Sequence, residues 1–188
     1  YGKDTEKIFE YRKNSGTIIT HNSVYAIPNP NKKMLIKRIT RHGRNTQYLA
    51  EKLQSYIDKH PYSAIEKINY PGLATHESYA WSKHMLFHGS FFTLIFKPRL
   101  RSKRKYQQFV NLVIKDAKEN GVPIIEGTSF GLDTTRIYLA AGFTKHAVPF
   151  VRVSVGIETI GEVEKIAEVF IQAMDTFTHS IRTKIPFL

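Results

Sequence analysis

Between residues 150 and 177 the periodicity of the chain changes once, and that change constrains the fold more than any other feature. FVRVSVGIE (residues 150–158) alternates apolar residues with Arg152, Ser154 and Gly156. This is the period-two pattern of a strand with one face on a core and one face presenting polar groups. TIGEVEKIAEVFIQAMDTF (residues 159–177) then repeats at helical spacing. Val163, Ile166, Ala167, Phe170 and Ile171 form its apolar stripe, and acidic residues fill its first turns. Thr159 with Glu162 three residues on matches a capping box. A strand with one polar face, followed by an amphipathic helix, calls for a sheet covered by helices on one side.

The remaining segments fit that layout. Residues 32–59 have a helical pattern through Leu35, Ile39, Leu49, Ala50, Leu53, Tyr56 and Ile57, ended by Pro61. Gly43 interrupts it at a cost of about 1 kcal/mol relative to alanine, which predicts a kink. Residues 64–73 read as a strand stopped by Pro71-Gly72, and residues 76–86 as a short amphipathic helix. GSFFTLIFK (residues 89–97) is an almost continuous apolar run, expected to be a central strand buried on both faces. YQQFVNLVIKDAKENG (residues 106–121) predicts a helix with Phe109, Leu112, Val113 and Ala117 on one face and Gly121 as its stop. VPIIEG reads as a short strand. Residues 3–14 suit a short helix and residues 17–20 a short strand. IEGTSFGLDTTRIYL (residues 125–139) is a strand-to-loop junction with a helical or extended exit. The order is helix, strand, helix, strand, helix, strand, strand, helix. The expected fold is α+β, two-layered, with a mostly antiparallel sheet and helices on one face.

Composition narrows the function classes. The 188 residues suit one domain or one and a half, and 41% apolar content supports a core. No apolar run reaches the roughly 20 residues that span a bilayer, so no membrane role is expected. The first residue is Tyr1, which suggests a processed product or a piece of something longer. The absence of cysteine removes disulfides, thiolate metal sites and a cysteine nucleophile, and suits a reducing, cytoplasmic compartment. The formal charge is +12, with basic runs at residues 32–44 and 97–105 and an acidic stretch at 158–175. Two readings of that charge stand open: a nucleic-acid or other anion-binding face, or the solvated surface of a fragment whose acidic partner is missing.

Few residues offer chemistry by themselves. His84 and His88 are four apart, as in some zinc sites, but no third ligand is suggested, so no metal is expected. Neither a G-x-S-x-G nucleophile nor a phosphate-cradling P-loop is present. KPRLRSKRKYQQF could track a nucleic-acid backbone, with Arg99, Arg101 and Arg104 as anion-binding candidates, although no recognition motif accompanies it. Arg152 sits in the alternating strand, where a fixed guanidinium can pair with a carboxylate. The TSFG loop adds backbone N–H groups at a strand end. An ordinary surface or ion-paired arginine is the competing reading of Arg152.

Four segments together resemble the C-terminal domain of the Cys/Met-metabolism family of pyridoxal-phosphate enzymes, the cystathionine γ-synthase-like group. INYPGLATHESYAWSKHMLFHGSFFTLIF (residues 68–96) resembles its Y-P-G-L-x-x-H segment and following strand. TSFG (residues 128–131) resembles its S-L-G-G loop, and RVSVGIE (residues 152–158) its R-x-S-V-G-x-E strand. RITRHGRNTQYLAEKLQSY (residues 38–56) resembles the preceding helix with its Arg-His-x-x-Asn pattern. The asparagine-rich, basic variant is most similar to fungal members. The resemblance implies the small domain of a fold-type-I enzyme, spanning residues 34–177. Residues 1–33 would extend from a missing large domain, and residues 178–188 would form a tail.

It also implies roles. Arg152 would clamp the substrate α-carboxylate, with Ser129 and Phe130 beside it. Pyridoxal phosphate would sit in the large domain, which would be the partner of this chain in a homo-oligomer acting on an amino-acid substrate. The S-x-T-K motif of the Schiff-base lysine is absent, and Lys145 in GFTKHA follows the S-L-G position instead of preceding it. Ser90 and Leu132 replace family glycines, and DTTRIYL replaces the usual continuation, so Arg136 would serve a different substrate or close a salt bridge. The chain alone would not be catalytic. The leading expectation is thus the substrate-binding domain of a transsulfuration enzyme of cysteine and methionine biosynthesis. The alternative is a non-catalytic interaction module derived from that fold, associated with nucleic acid and then nuclear.

Overall fold

A computed structural model describes residues 4–16, 32–140 and 148–183. The chain divides into two compact units, residues 1–35 and 36–188. The first contains helix α1 (Thr5–Asn14), which buries none of its residues. Helix α2 (Lys32–Lys59) begins in the first unit and continues in the second. The strand expected at residues 17–20 lies outside the described residues.

The second unit is the α+β domain expected from the sequence. After α2 come β1 (Ile65–Asn69), the one-turn helix α3 (Tyr79–Ser82), β2 (Phe91–Phe96) and a 3₁₀ turn (Pro98–Leu100). Helix α4 (Lys103–Glu119), β3 (Ile125–Glu126), β4 (Arg136–Ala140), β5 (Phe150–Ser154) and α5 (Ile160–Arg182) complete it. The strands form one sheet in the order β1-β2-β5-β4-β3. All neighbours are antiparallel except β3 and β4.

Alternation along the strands gives the sheet two unlike faces. Phe92, Leu94, Phe96, Ile137, Leu139, Val151 and Val153 are buried in one core with Leu49, Leu53, Phe109, Val113, Ile166 and Phe170 of the helices. The other face carries Phe91, Thr93, Ile95, Arg136, Tyr138, Phe150 and Arg152, all partly or well exposed. The expectation that β2 is buried on both faces is therefore overturned. Its apolar run is continuous because both faces are largely apolar, but among the described residues helices cover only one of them.

Local chemistry explains the helix ends. Thr159 caps α5: its Oγ1 accepts from the Glu162 backbone N–H, and the Glu162 carboxylate accepts from the Thr159 N–H at 2.7 Å. The Thr159 hydroxyl, which also donates to that carboxylate at 2.7 Å, and then the Thr159 N–H hold the exposed Glu162 carboxyl below its ordinary pKa. Thr159→Ala should cost about 1 kcal/mol, read as a lower denaturant midpoint with unchanged slope. Helix α4 starts earlier than the apolar pattern, because the Ser102 hydroxyl accepts from the Lys105 N–H and caps the charged turn at residues 103–105. Gly121 ends that segment in the left-handed region, at φ 64°.

Two further expectations change. Helix α2 runs unbroken through Gly43, where an added Cβ would lie 2.9 Å from the Phe87 ring. The glycine marks a close approach of side chain to helix rather than an interruption. The helix expected at residues 76–86 shrinks to Tyr79–Ser82, whose only buried residue is Ser82. Its apolar residues Trp81, Met85 and Leu86 are exposed, so no packed face sustains a longer helix. His84 and His88 thus do not share a helical face. His88 Nε2 instead bonds the Ser82 carbonyl oxygen at 2.8 Å. Among the described residues no helix is long and apolar enough to cross a membrane.

Candidate functional site

The open sheet face is built in cross-strand rows. Thr93, Arg152 and Tyr138 face one another on β2, β5 and β4, and Phe91, Ser154 and Arg136 form the next row. Opposed residues in a sheet share a face, so Arg152 and Arg136 stand as diagonal neighbours. The turn between β3 and β4 lies against both. Arg152 Nη2 donates to the Thr128 carbonyl. The Phe130 ring lies 3.9 Å from the Arg152 guanidinium carbon, and Phe91 packs on Phe130 with ring centroids 5.3 Å apart. Tyr138 lies 5.9 Å from the same guanidinium. A Cβ on Gly127 would lie 2.7 Å from Arg136 Nη1, so the end of the Arg136 side chain lies close to the Gly127 backbone.

This setting makes Arg152 a fixed cation without a counter-charge among the described residues. Burial lowers its pKa from the ordinary arginine value, with an opposing contribution from Tyr138. Its Nε atom and that of Arg136 are both buried and have no hydrogen-bond partner. Neither arginine has a carboxylate partner among the described residues, where the ion pairs are Lys7–Asp4, Arg38–Asp133, Arg101–Glu66 and Lys115–Glu119. A partly desolvated guanidinium without a counter-charge carries a cost, and an incoming anion offsets it. The salt bridge that Arg136 could have closed within the chain is therefore not formed among the described residues.

Helix α2 positions this face through a buried polar knot. His42 Nδ1 bonds the Val155 carbonyl oxygen at 2.8 Å, and Asn45 Nδ2 donates to the carbonyls of Gly156 (3.2 Å) and Glu158 (2.9 Å). The Thr135 N–H donates to the Glu158 carboxylate, and the Gly156 N–H to Thr135 Oγ1 at 3.1 Å. Arg38 Nη2 donates to the Gly131 carbonyl at 2.7 Å and to Asp133 at 2.5 Å. The His-x-x-Asn and G-x-E patterns, with Arg38 one turn earlier, are thus parts of one hydrogen-bonded clasp that fixes β5 against the turn.

Gly156 is the tightest point of the clasp. A Cβ there would lie 2.1 Å from the Asp133 carbonyl oxygen. Gly156→Ala should cost about 1–3 kcal/mol, because the clash is with backbone. Faster limited proteolysis at residues 127–135 should accompany the lower denaturation midpoint.

The structure therefore brings Ser129, Phe130, Arg152 and Arg136 together. Ser129 is exposed, between the residue that holds Arg152 and the one that stacks on it. Arg101 is elsewhere: it pairs with Glu66 of β1 at 2.6 Å and donates to the Phe96 carbonyl at 2.8 Å, at the opposite edge of the sheet from β3. Arg99 and Arg104 flank it in sequence and are exposed. Lys145 lies outside the described residues. Sequence reasoning missed Tyr138, Phe91 and the Arg38–Asp133 pair. The R-I-Y-L alternation of β4 was the signal that could have placed Tyr138 and Arg136 on the Arg152 face.

Comparison with known proteins gives the site a context. No family model matches the chain. The bifunctional enzyme flvA of Aspergillus flavus is 26% identical over 171 residues, which is 90% of this chain and 19% of that protein. The O-acetyl-L-homoserine sulfhydrylase of Leptospira meyeri is 34% identical over 134 residues, 67% of this chain and 28% of that enzyme. The crystal structure of cystathionine gamma-lyase from Lactobacillus plantarum, complexed with L-serine, superimposes with a TM-score of 0.54 at 24% identity. That match covers 76% of this chain and 36% of the lyase. The chain thus spans about a fifth to a third of the length of the proteins it matches. Another solved structure that the chain resembles, a putative O-acetylhomoserine (thiol)-lyase of Campylobacter jejuni, carries a pyridoxyl-lysine, and the fold of this chain is that of the small C-terminal domain of fold-type-I pyridoxal-phosphate enzymes.

Proposed function

We propose that this chain is the substrate-binding domain of a cystathionine γ-synthase-like transsulfuration enzyme, in which Arg152 holds the α-carboxylate of an amino-acid substrate. The observation that carries this reading is the fixed, half-buried Arg152 guanidinium without a carboxylate partner among the described residues. Thr128 and Phe130 hold it, so little rotamer freedom remains to be lost on binding. Ser129 stands beside the bound carboxylate as a hydroxyl donor. Phe130, Phe91 and Tyr138 exclude water from it and strengthen the charge pairing.

These residues fit the substrate side of a pyridoxal-phosphate site, since a lone guanidinium suits an α-carboxylate. The anchoring lysine is not offered by any S-x-T-K motif in this sequence. The cofactor would therefore be held by a large domain of the same protein, probed across the open sheet face, and this chain would not be catalytic alone. When bound, the cofactor supplies an electron sink for negative charge at the substrate α-carbon. This domain positions that carbon through the carboxylate. The assembly would be a homo-oligomer in the cytoplasm.

The full-length protein should show the visible absorbance of lysine-bound pyridoxal phosphate, and the band should change on addition of O-acetyl-L-homoserine. A full-length protein that takes up no pyridoxal phosphate would overturn the proposal.

A further inference from the structure

Residues 128–133 are all exposed, so the turn that holds Arg152 gains little from the core. Its ends are tied to the sheet. The Gly127 N–H donates to the Ile137 carbonyl at 3.1 Å, and the Thr135 N–H to the Glu158 carboxylate. Gly131 sits in the left-handed region at φ 65°, and glycine does little to stiffen a chain. Fixing such a segment costs conformational entropy at every residue, and contacts from outside have to offset it. Among the described residues, three elements reach its middle. Phe91 of β2 packs on Phe130, and the Ile157 N–H donates to the Asp133 carbonyl at 2.8 Å. Arg38 of α2 bonds both the Gly131 carbonyl and the Asp133 carboxylate. Gly131 directly follows Phe130, whose ring stacks on the Arg152 guanidinium.

We infer that Arg38 is a positioning residue for carboxylate recognition: by latching Gly131 and Asp133 to α2, it keeps Phe130 and the Thr128 carbonyl on Arg152, so that the guanidinium meets its ligand already oriented. This rests on the proposed role of Arg152 as the α-carboxylate clamp. Arg38 acts through the turn, not on the ligand. It differs in this from His42, Asn45 and Glu158, which are buried and hold β5 itself. The Arg38–Asp133 pair leaves 38% and 72% of its two side chains open to solvent, and such a pair contributes little to global stability. Its loss frees the turn locally. Ligand binding then has to order the turn and Arg152 as well, and that cost falls on affinity.

Calorimetric titration of the full-length protein with L-norvaline and L-norvalinamide tests this, beside chemical denaturation of each variant. Arg38→Gln should weaken L-norvaline binding by about tenfold and L-norvalinamide binding by less than about twofold, with the denaturation midpoint unchanged. Arg38→Lys keeps a charge for Asp133 and should recover part of the loss. Adding Asp133→Ala to Arg38→Gln should cost nothing further, because one latch is broken only once. Arg101→Gln breaks a comparably exposed pair, with Glu66 at the opposite edge of the sheet, and should leave the ratio of the two affinities unchanged. Unchanged L-norvaline binding in Arg38→Gln overturns the positioning role. So does an equal loss for both ligands, or a loss that comes with a lowered midpoint, either of which would make Arg38 merely structural. An equal change of the ratio in Arg101→Gln overturns it too, since that would report net charge. Wild-type protein that binds the acid and the amide equally refutes the Arg152 clamp itself, whatever Arg38 does.

Discussion

Arg152→Ala in the full-length protein is expected to raise the KM for its amino-acid substrate by on the order of 100-fold, with a much smaller change in kcat. A hydrogen bond to a charged group contributes about 1.5–3 kcal/mol, and the lost fork removes up to two of them. The α-carboxylate keeps its charge throughout the reaction, so its clamp binds ground state and transition state alike, and its loss belongs in KM. Arg152→Lys should recover only part of the loss. A lysine keeps the charge but loses both the planar fork and the stacking on Phe130, which now lies 3.9 Å from the guanidinium carbon. Steady-state kinetics across both variants read this directly. A kcat collapse at unchanged KM would assign Arg152 to the chemical step instead.

The second large effect is on stability. Phe96→Ala should destabilise the domain by about 3–5 kcal/mol. Phe96 is fully buried, and its ring meets Tyr106 at 4.2 Å, Phe109 at 5.6 Å and Phe177 at 5.2 Å between centroids. It joins β2 to both α4 and α5, so no single element can collapse into the space left behind. Such a loss is a large part of the roughly 5–15 kcal/mol that holds a domain folded. Chemical denaturation should show a lowered midpoint. A cost under about 1 kcal/mol would mean that the aromatic cluster does not organise the core.

Long periodic segments were legible in the sequence, and short or two-sided ones were not. Helices α2, α4 and α5 follow their apolar stripes because burial on one face sets their spacing. The last one extends to Arg182, with Ile181 continuing the buried stripe beyond the expected end at Phe177. Strand β4 was missed because it has five residues and follows a run of Asp and Thr whose turn chemistry dominates that window. The open face of β2 was misread because an apolar run reports composition, not what covers it. The burial of β2 on one side depends on where β5 and the helices place their own faces, which is non-local.

The site shows the same division. Arg152 was legible because its alternating strand fixes the direction of its side chain. Its neighbours were legible only in part, since the Arg152, Tyr138 and Thr93 row depends on register between three strands. The clasp was visible as letters, His-x-x-Asn and G-x-E, whose meaning needs the contact of His42 and Asn45 with backbone more than 100 residues away. Basic charge misled most. Arg101 was an anion-binding candidate by composition, yet its charge is paired with Glu66.

The central claim is that the Arg152 face recognises an α-carboxylate, and the measurement that tests it most directly alters the ligand instead of the protein. Calorimetric titration of the full-length protein with L-norvaline and with L-norvalinamide compares a carboxylate with an uncharged amide of nearly the same shape. The account predicts binding of L-norvaline and at least a tenfold weaker affinity for the amide, with the difference abolished in Arg152→Ala. Equal affinity for the two ligands in the wild type would contradict it.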